Sequence, residues 1–149
     1  MRSKTTSWFE TKIRYDKTME DGRNKKVTEV YTVEALSFTE AESAITEEMS
    51  HYISGEFDVK AITRAPYGEI FFSDADSDDK WFKVRLAFIT IDEKTEKEKR
   101  SNVVYLMQAA TLDKARQYIK DVMAKTMVDY EVVSISETPL FDVFEHKKQ

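Results

Sequence analysis

Four segments of this 149-residue chain have the residue types of β-strands, and the first and third also alternate between two strand faces, at residues 8–15 and 81–88. They are rich in the aromatic and β-branched residues that favour strands, and they lie at residues 8–17, 27–35, 81–91 and 103–109. Polar, charged segments separate the members of each pair, from Lys17 to Lys26 and from Asp92 to Asn102. Each pair therefore predicts a β-hairpin.

Each predicted hairpin is followed by a segment whose apolar residues recur every three or four positions, which predicts an amphipathic helix. Ser37 and Thr111 can cap these helices, and Glu40 completes a capping box in the first. The apolar stripes that we expect to be buried against the sheets are Phe38, Ala41, Ile45 and Met49 in the first helix, and Leu112, Ala115, Ile119 and Met123 in the second.

A third strand is predicted after each helix, at residues 57–64 and 130–137, and Pro66 and Pro139 should then end or bend it. Short last strands follow at residues 69–73 and 141–145. The predicted fold class is α+β, with mainly antiparallel sheets and one covering helix in each half of the chain.

The two halves carry matching residues in the same order, which predicts an internal duplication of one β-β-α-β(β) module. Trp8 and Phe9 at the start of the first strand correspond to Trp81 and Phe82, and the match continues through the helical stripes to the two prolines. We expect the two modules to pack as one compact unit, with an exposed acidic linker between them. The predicted boundaries are 8–73 for the first module, 74–79 for the linker and 80–146 for the second module.

Three segments of the first half carry a family resemblance. They are Trp-Phe-x-x-Lys at residues 8–12, Val-Tyr-x-Val-Glu-Ala at 30–35 and Ser-Phe-Thr-Glu-Ala-Glu at 37–42. The chain resembles an uncharacterised family, a domain of unknown function, from Bacteroidetes bacteria and their phages. The resemblance implies a bacterial or phage cytoplasmic setting and a role in phage or mobile-element biology. It brings no catalytic residue, cofactor or substrate.

The amino-acid composition excludes several classes of protein. With 41% hydrophobic and 12% aromatic residues, the chain has the composition of a folded protein. The absence of cysteine removes disulfides and thiolate chemistry. The sequence has no apolar run of signal-peptide or transmembrane length, so we expect a cytoplasmic protein without a membrane partner. A net charge of −5 argues against binding duplex DNA through bulk charge.

Recognisable catalytic and metal-binding motifs are absent from the sequence. His51 and His146 have no partner at the spacing of such sites, which favours surface or capping roles. The aspartates of the linker suggest a calcium loop, but Asp79 and Arg85 stand where that loop needs a glycine and a glutamate. The three glycines stand at isolated positions, which rules out a phosphate-binding loop. We therefore predict no catalytic residue, no metal site and no cofactor.

The first strand of each half places a tryptophan and cations on the face opposite the predicted helix. An indole ring in this position can stack on a base while the cations meet phosphate. The alternative is that the tryptophans pack the two modules together and the cations are solvated or ion-paired. The candidate ligand-binding residues are Trp8, Lys12, Arg14, Trp81, Lys83 and Arg85.

These patterns lead to three functional hypotheses. The first is a non-enzymatic binding protein whose repeated tryptophan and basic surface takes a nucleic acid strand or a small nucleotide. The second is an acidic protein-interaction protein, or an inhibitor of a host factor, that meets a basic protein partner. The third is an enzyme with a carboxylate-based site between the modules, which the sequence does not locate.

Overall fold

The computed structural model of the protein describes residues 1–146 and has a mixed α+β fold, as predicted. Within these residues the elements in chain order are β1 (Arg2–Lys4), β2 (Trp8–Thr18), β3 (Asn24–Glu34), α1 (Phe38–Tyr52), β4 (Phe57–Arg64), β5 (Glu69–Phe72), β6 (Lys80–Ile91), β7 (Glu98–Ala109), α2 (Leu112–Ala124), β8 (Asp129–Glu137) and β9 (Leu140–Phe144). The strands form a five-stranded sheet in the order β1-β5-β7-β6-β8 and a four-stranded sheet in the order β4-β2-β3-β9. Neither of these two helices is long and apolar enough to cross a lipid bilayer.

Both predicted hairpins are present, as the antiparallel pairs β2–β3 and β6–β7. Their strands run further than predicted, since Thr18 pairs with Asn24 and Ile91 pairs with Glu98. The side chains at these ends are exposed, so the backbone ladder continues there without an apolar face to mark it. Strand β1, only three residues long, is too short to show a period and was not predicted.

Helix α1 begins at the predicted cap. The Ser37 side chain accepts a hydrogen bond from the Glu40 amide at 3.1 Å, and the Glu40 carboxylate accepts one from the Leu36 amide at 3.3 Å. Ala41, Ile45 and Met49 are buried in a core that β2 and β3 complete. This part of the predicted stripe is confirmed.

Helix α2 repeats this arrangement against the other sheet. The Thr111 side chain accepts a hydrogen bond from the Lys114 amide at 3.1 Å, and Ala115, Ile119 and Met123 are buried. The prediction that Phe38 and Leu112 are buried is wrong, because their exposed fractions are 48% and 41%. Each is the first residue of its helix, and helical side chains tilt toward the N-terminus, which carries these two away from the covered face.

The contacts divide the chain into two compact units. The α1 unit consists of Thr6–Pro66 and the described residues from Pro139 onward, and the α2 unit consists of Met1–Thr5 and Tyr67–Thr138. This division differs from the predicted boundaries at 8–73, 74–79 and 80–146. The physical reason is that β5 pairs in parallel with β7, and β9 pairs in parallel with β3. Each half of the chain therefore gives its last strand to the sheet that holds the hairpin of the other half.

The two halves nevertheless follow the same order of elements, β-β-α-β-β. Pro66 lies between β4 and β5, and Pro139 lies between β8 and β9, so the two prolines occupy corresponding connections. Descent of the two halves from one duplicated module stays a prediction.

The linker at 74–79 is not uniformly exposed, which corrects that prediction for Asp78, whose exposed fraction is 2%. The Asp78 carboxylate accepts hydrogen bonds from the Tyr118 hydroxyl at 2.5 Å, the Ala110 amide at 2.8 Å and the Ser73 hydroxyl. Burial alone would raise the pKa of Asp78, but these three hydrogen bonds and the nearby Lys114 outweigh it and lower the pKa. Asp78 thus ties the linker to the start of α2.

Candidate functional site

Both tryptophans of the predicted ligand-binding platform are buried, with exposed fractions of 3% for Trp8 and 2% for Trp81. The Phe72 ring meets the Trp81 ring edge-on, with 5.7 Å between centroids. A base can stack only on a ring face that it can reach. The burial of the two indoles favours the packing alternative, and the ligand-binding role of these residues stays a prediction.

The four predicted cations lie on the expected strand face, opposite the helices. Lys12, Arg14 and Arg85 are exposed and Lys83 is half-buried. Arg14 lies opposite Asp58 in the ladder between β2 and β4, so a carboxylate stands among the cations of that face. Lys12 and Arg14 belong to the α1 unit, whereas Lys83 and Arg85 belong to the α2 unit. In each unit the predicted cations lie on the same strand as the predicted tryptophan. That tryptophan is buried, so it offers no exposed ring beside them.

A different site, missed by the sequence analysis, lies within the α1 unit. It is a cavity of about 280 Å³ between the hairpin β2–β3, the end of α1 and the strand β9. We call it the aromatic–acidic pocket, and its principal residues are Tyr15, Glu29, Tyr31, Phe141, Asp142 and Phe144. Concave sites lined by aromatic rings with a few polar groups are the usual form of ligand pockets.

Strand β9 builds one wall of the aromatic–acidic pocket. Tyr31 pairs with Asp142 across the parallel ladder, and a register shift beside this pair leaves Phe141 as the extra residue of β9. The Tyr31 ring stacks with that of Phe144, with centroids 5.5 Å apart and an angle of 17° between the planes. Its centroid is 5.8 Å from that of Phe141. The three rings therefore form one continuous aromatic wall.

Glu29 lies at the base of the pocket, and only 6% of it is exposed. The Tyr31 hydroxyl donates to Glu29 Oε1 at 3.1 Å. Burial, followed by the hydrogen bond and the charge of Glu29, raises the pKa of Tyr15 to about 12. Burial and the same carboxylate also raise the pKa of Tyr31. Both phenols therefore stay protonated at neutral pH.

Asp142 is the second carboxylate of the pocket. Burial raises its pKa; a hydrogen bond from the Val143 amide, 2.8 Å from Oδ1, opposes this shift, and the negative charge of Glu48 adds to it. Within residues 1–146, neither Glu29 nor Asp142 forms an ion pair with a lysine or arginine, although Lys17 also lines the cavity. The negative charge of the pocket is thus not neutralised by an ion pair from the described chain.

A second cavity, of about 340 Å³, adjoins this site through Phe144, which lines both. We call it the acidic groove, and its principal residues are Glu40, Glu47, Glu48, Glu145, His146 and Phe144. Nδ1 of His146 lies 3.3 Å from Glu40 Oε1, and the His146 amide donates to Glu34 Oε1 at 2.8 Å. The groove and the pocket together form an extended negative surface on the α1 unit.

One signal in the sequence points to this site. Val27, Glu29, Tyr31 and Val33 alternate along β3, so the acid stands on the strand face that its neighbours make apolar. The corresponding residue in the other half is Val103. No such signal reveals that β9 lines the pocket, because the sequence does not show which strand β9 pairs with. Among the described residues, no group of three or more His, Asp or Glu side chains is placed to hold a metal ion.

Comparison with known proteins gives one finding on identity. No curated protein and no solved structure matches the chain. A family model described as "Domain of unknown function (DUF4494)" matches residues 7–146, nearly the whole chain. The chain therefore belongs to the DUF4494 family.

Proposed function

We propose that this protein is a non-enzymatic binding protein that takes a basic segment of a partner protein on the α1 unit, with one lysine or arginine side chain inserted into the aromatic–acidic pocket. The observation that carries this proposal is the pair of carboxylates, Glu29 and Asp142, set among aromatic rings without an ion-paired cation from residues 1–146. Such a site lacks the positive charge that a ligand would supply.

The energetics favour a cation over a neutral side chain in this pocket. A unit charge 4 Å from a carboxylate gains about 4 kcal/mol at an effective dielectric constant of ~20. A cation over an aromatic face gains about 0.5–2 kcal/mol more. Immobilising a long basic side chain costs about 2 kcal/mol. A bound cation would also relieve the repulsion between Asp142 and Glu48.

The acidic groove supplies contacts for the rest of the segment. Its carboxylates continue from the pocket along α1, so a second basic residue of the same partner meets further negative charge. Complementary charge at the rim of an interface speeds association and rejects acidic competitors. The net charge of −5 acts in the same direction.

The other two hypotheses have less support. A nucleic acid strand or nucleotide on the tryptophan and basic surface would have to bind without stacking, since Trp8 and Trp81 are buried. A carboxylate-based enzyme stays a prediction. The family resemblance implies a Bacteroidetes or phage setting, and we include that setting in the proposal. The basic partner is then a host protein.

Binding of the intact protein to a lysine- and arginine-rich peptide of about ten residues tests the proposal. We expect Asp142→Asn and Glu29→Gln each to weaken binding about tenfold or more, because each removes one of the two negative charges that the cation meets. Glu93→Gln is the control, since it removes the same charge from an exposed position of the α2 unit. Calorimetric titration at low and physiological salt supplies the dissociation constants.

Two results would overturn the proposal. One is equal binding by the wild type, Asp142→Asn and Glu93→Gln. The other is preference for single-stranded RNA or DNA over the basic peptide at low salt, which would restore the nucleic acid hypothesis.

A further inference from the structure

The aromatic–acidic pocket contains more aromatic rings than the three of its wall. Tyr15 and Tyr52 also line the cavity, so five of its ten lining residues are aromatic. Tyr52 at the end of α1 and Phe141 in β9 have exposed fractions of 71% and 56%. The planes of the Phe141 and Tyr31 rings meet at 46°, so the wall is angled rather than flat. The pocket therefore offers aromatic surface that a ligand can reach.

The α2 unit supplies an internal comparison for this pocket. In its parallel ladder Tyr105 pairs with Glu69, and Tyr31 and Asp142 form the matching pair of the α1 unit. Three groups of the pocket have no counterpart of the same kind in the α2 unit. Counted from these pairs and from the helix caps, the matched residues are Glu29 with Val103, Tyr52 with Thr126 and Phe141 with Gly68. The α2 unit folds without a buried acid and two exposed rings at these positions, so the fold itself does not require them.

The side chains that line the pocket carry a net negative charge. Glu29 and Asp142 contribute two carboxylates, and Lys17 contributes one cation at an exposed position of β2. Glu29 accepts a hydrogen bond from the Tyr31 hydroxyl at 3.1 Å, and Asp142 accepts one from the Val143 amide at 2.8 Å. The charge of the two carboxylates attracts a cation, but part of their capacity to accept further hydrogen bonds is already used.

Cations differ in what they lose on entering such a pocket. An unmodified lysine ammonium is strongly hydrated and has three N–H donors, and a guanidinium has five. Donors that face rings instead of water lose hydrogen bonds. Methylation of the lysine nitrogen keeps the charge, and trimethylation removes every donor. A quaternary ammonium therefore keeps its attraction to carboxylates and rings and loses the fewest hydrogen bonds, which is why aromatic cages bind such groups.

The size of the pocket and the surface beside it indicate where the quaternary ammonium comes from. The cavity of about 280 Å³ lies below the range of about 300–1,000 Å³ for sites of drug-sized ligands, so it suits one head group. The acidic groove adjoins it through Phe144. The carboxylates of this groove complement basic residues that flank a lysine in a protein chain, and a free quaternary ammonium compound has no such residues.

We propose that the aromatic–acidic pocket recognises a trimethylated lysine in the basic segment of the partner protein, so that methylation of this lysine strengthens binding. This inference rests on the proposed function and adds the chemical form of the inserted side chain. The rings contact the methyl groups, and Glu29 and Asp142 provide the opposite charge.

Calorimetric titration of the intact protein with three forms of one basic peptide of about ten residues tests this proposal. The forms differ only at a central lysine, which is unmodified, trimethylated, or replaced by a neutral analogue with a tert-butyl group in place of the trimethylammonium. We expect the trimethylated form to bind about tenfold more tightly than each of the others. The neutral form has the same shape, so it separates the effect of charge from that of apolar contact.

Substitutions of the exposed rings show whether the aromatic surface causes this preference. Phe141→Leu and Tyr52→Leu keep an apolar side chain but remove a ring, so each should lower the preference for the trimethylated form about threefold or more. Phe38→Leu is the control, since Phe38 is a half-exposed ring of the same unit outside the lining of the pocket. It should leave the preference unchanged. The denaturation midpoint of each variant checks that it is folded.

Four results would overturn the proposal. Equal affinity for the unmodified and trimethylated peptides, with both weakened by Asp142→Asn, would exclude methyl recognition but leave the proposed function standing. Failure of all three peptides to bind would contradict both proposals. Tetramethylammonium that binds as tightly as the trimethylated peptide would mean that the ligand is a free compound. A preference that persists in both Phe141→Leu and Tyr52→Leu would mean that these rings do not contact the head group.

Discussion

Glu29 shows at the scale of single residues how a polar group can mark a site inside an otherwise apolar face. Its neighbours on that strand face are Val27, Tyr31 and Val33, and its carboxylate holds a hydrogen bond from Tyr31 instead of reaching water. Burying a charge among rings is costly unless hydrogen bonds or an opposite charge offset it. The two phenols offset part of this cost, and the proposed cation offsets more.

The Tyr15 phenol provides a direct test of this cluster. Its pKa is raised to about 12 by burial, by the hydrogen bond with Glu29 and by the charge of Glu29. Glu29→Gln removes the charge but leaves the burial, so we expect the pKa to fall and yet stay above the ordinary value of about 10. Phenolate absorbance against pH measures the change, with the exposed Glu20→Gln as control. An unchanged titration would mean that burial alone sets the shift.

Asp78 predicts a pH dependence of stability. Its pKa in the folded protein lies below the ordinary value of 3.8, so its ionised form stabilises the fold. This contribution is complete above the unfolded pKa and is lost as the pH falls through the folded pKa. Asp78→Asn should therefore lower the free energy of unfolding by about 1–3 kcal/mol near pH 7, and by less below about pH 4.

Denaturant unfolding at several pH values measures this difference. The control is Asp76→Asn, because Asp76 is an exposed aspartate of the same linker. A difference between wild type and Asp78→Asn that grows toward acid would contradict the assignment.

At the scale of elements, the helices were the best-predicted part of the chain. The 3.6-residue period identified the buried positions. Ser37 and Thr111 are the caps because their side chains accept hydrogen bonds from the amide of the third residue of each helix. The prediction of burial was wrong for the first residue of each stripe, because the period alone does not show where the sheet beneath a helix ends. The hairpin strands were predicted too short, because exposed charged residues still pair through their backbones.

Truncation of the helical stripes gives a matched set of predictions. Ile45→Ala and Ile119→Ala should each cost about 2–5 kcal/mol, the range for removing a large aliphatic side chain from a packed core. Phe38→Ala and Leu112→Ala should cost less, because both residues are about half exposed. Chemical denaturation of the four variants measures the ranking. Equal costs at the buried and exposed positions would contradict the placement of the helices.

For the whole molecule, the exchange of last strands is the feature that the sequence could not predict. The predicted repeat makes β5 and β9 corresponding strands, but matching residues do not reveal which sheet a strand joins. The same gap explains why the pocket was missed, since Phe141, Asp142 and Phe144 reach Tyr31 only through this exchange. Pairings between strands distant in sequence depend on packing that no local pattern records.

Separating the halves tests the exchange. A fragment of residues 1–73 lacks β9, and a fragment of residues 74–149 lacks β5 and β1. We expect each fragment alone to be less stable than the intact chain, and the mixture to recover native stability because each supplies the strand that the other needs. Thermal unfolding followed by circular dichroism compares them. Full native stability in the isolated 1–73 fragment would contradict the observed pairing.

The exchange also orders events during synthesis. β3 leaves the ribosome early, whereas its neighbour β9 begins at Leu140. At ~5–20 residues per second, the edge of β3 waits on the order of ten seconds for its partner strand. A chain released before residue 144 therefore has an incomplete α1 sheet and no aromatic wall. Chains that stop before β9 would lack this wall, so the binding that we propose requires translation through Phe144.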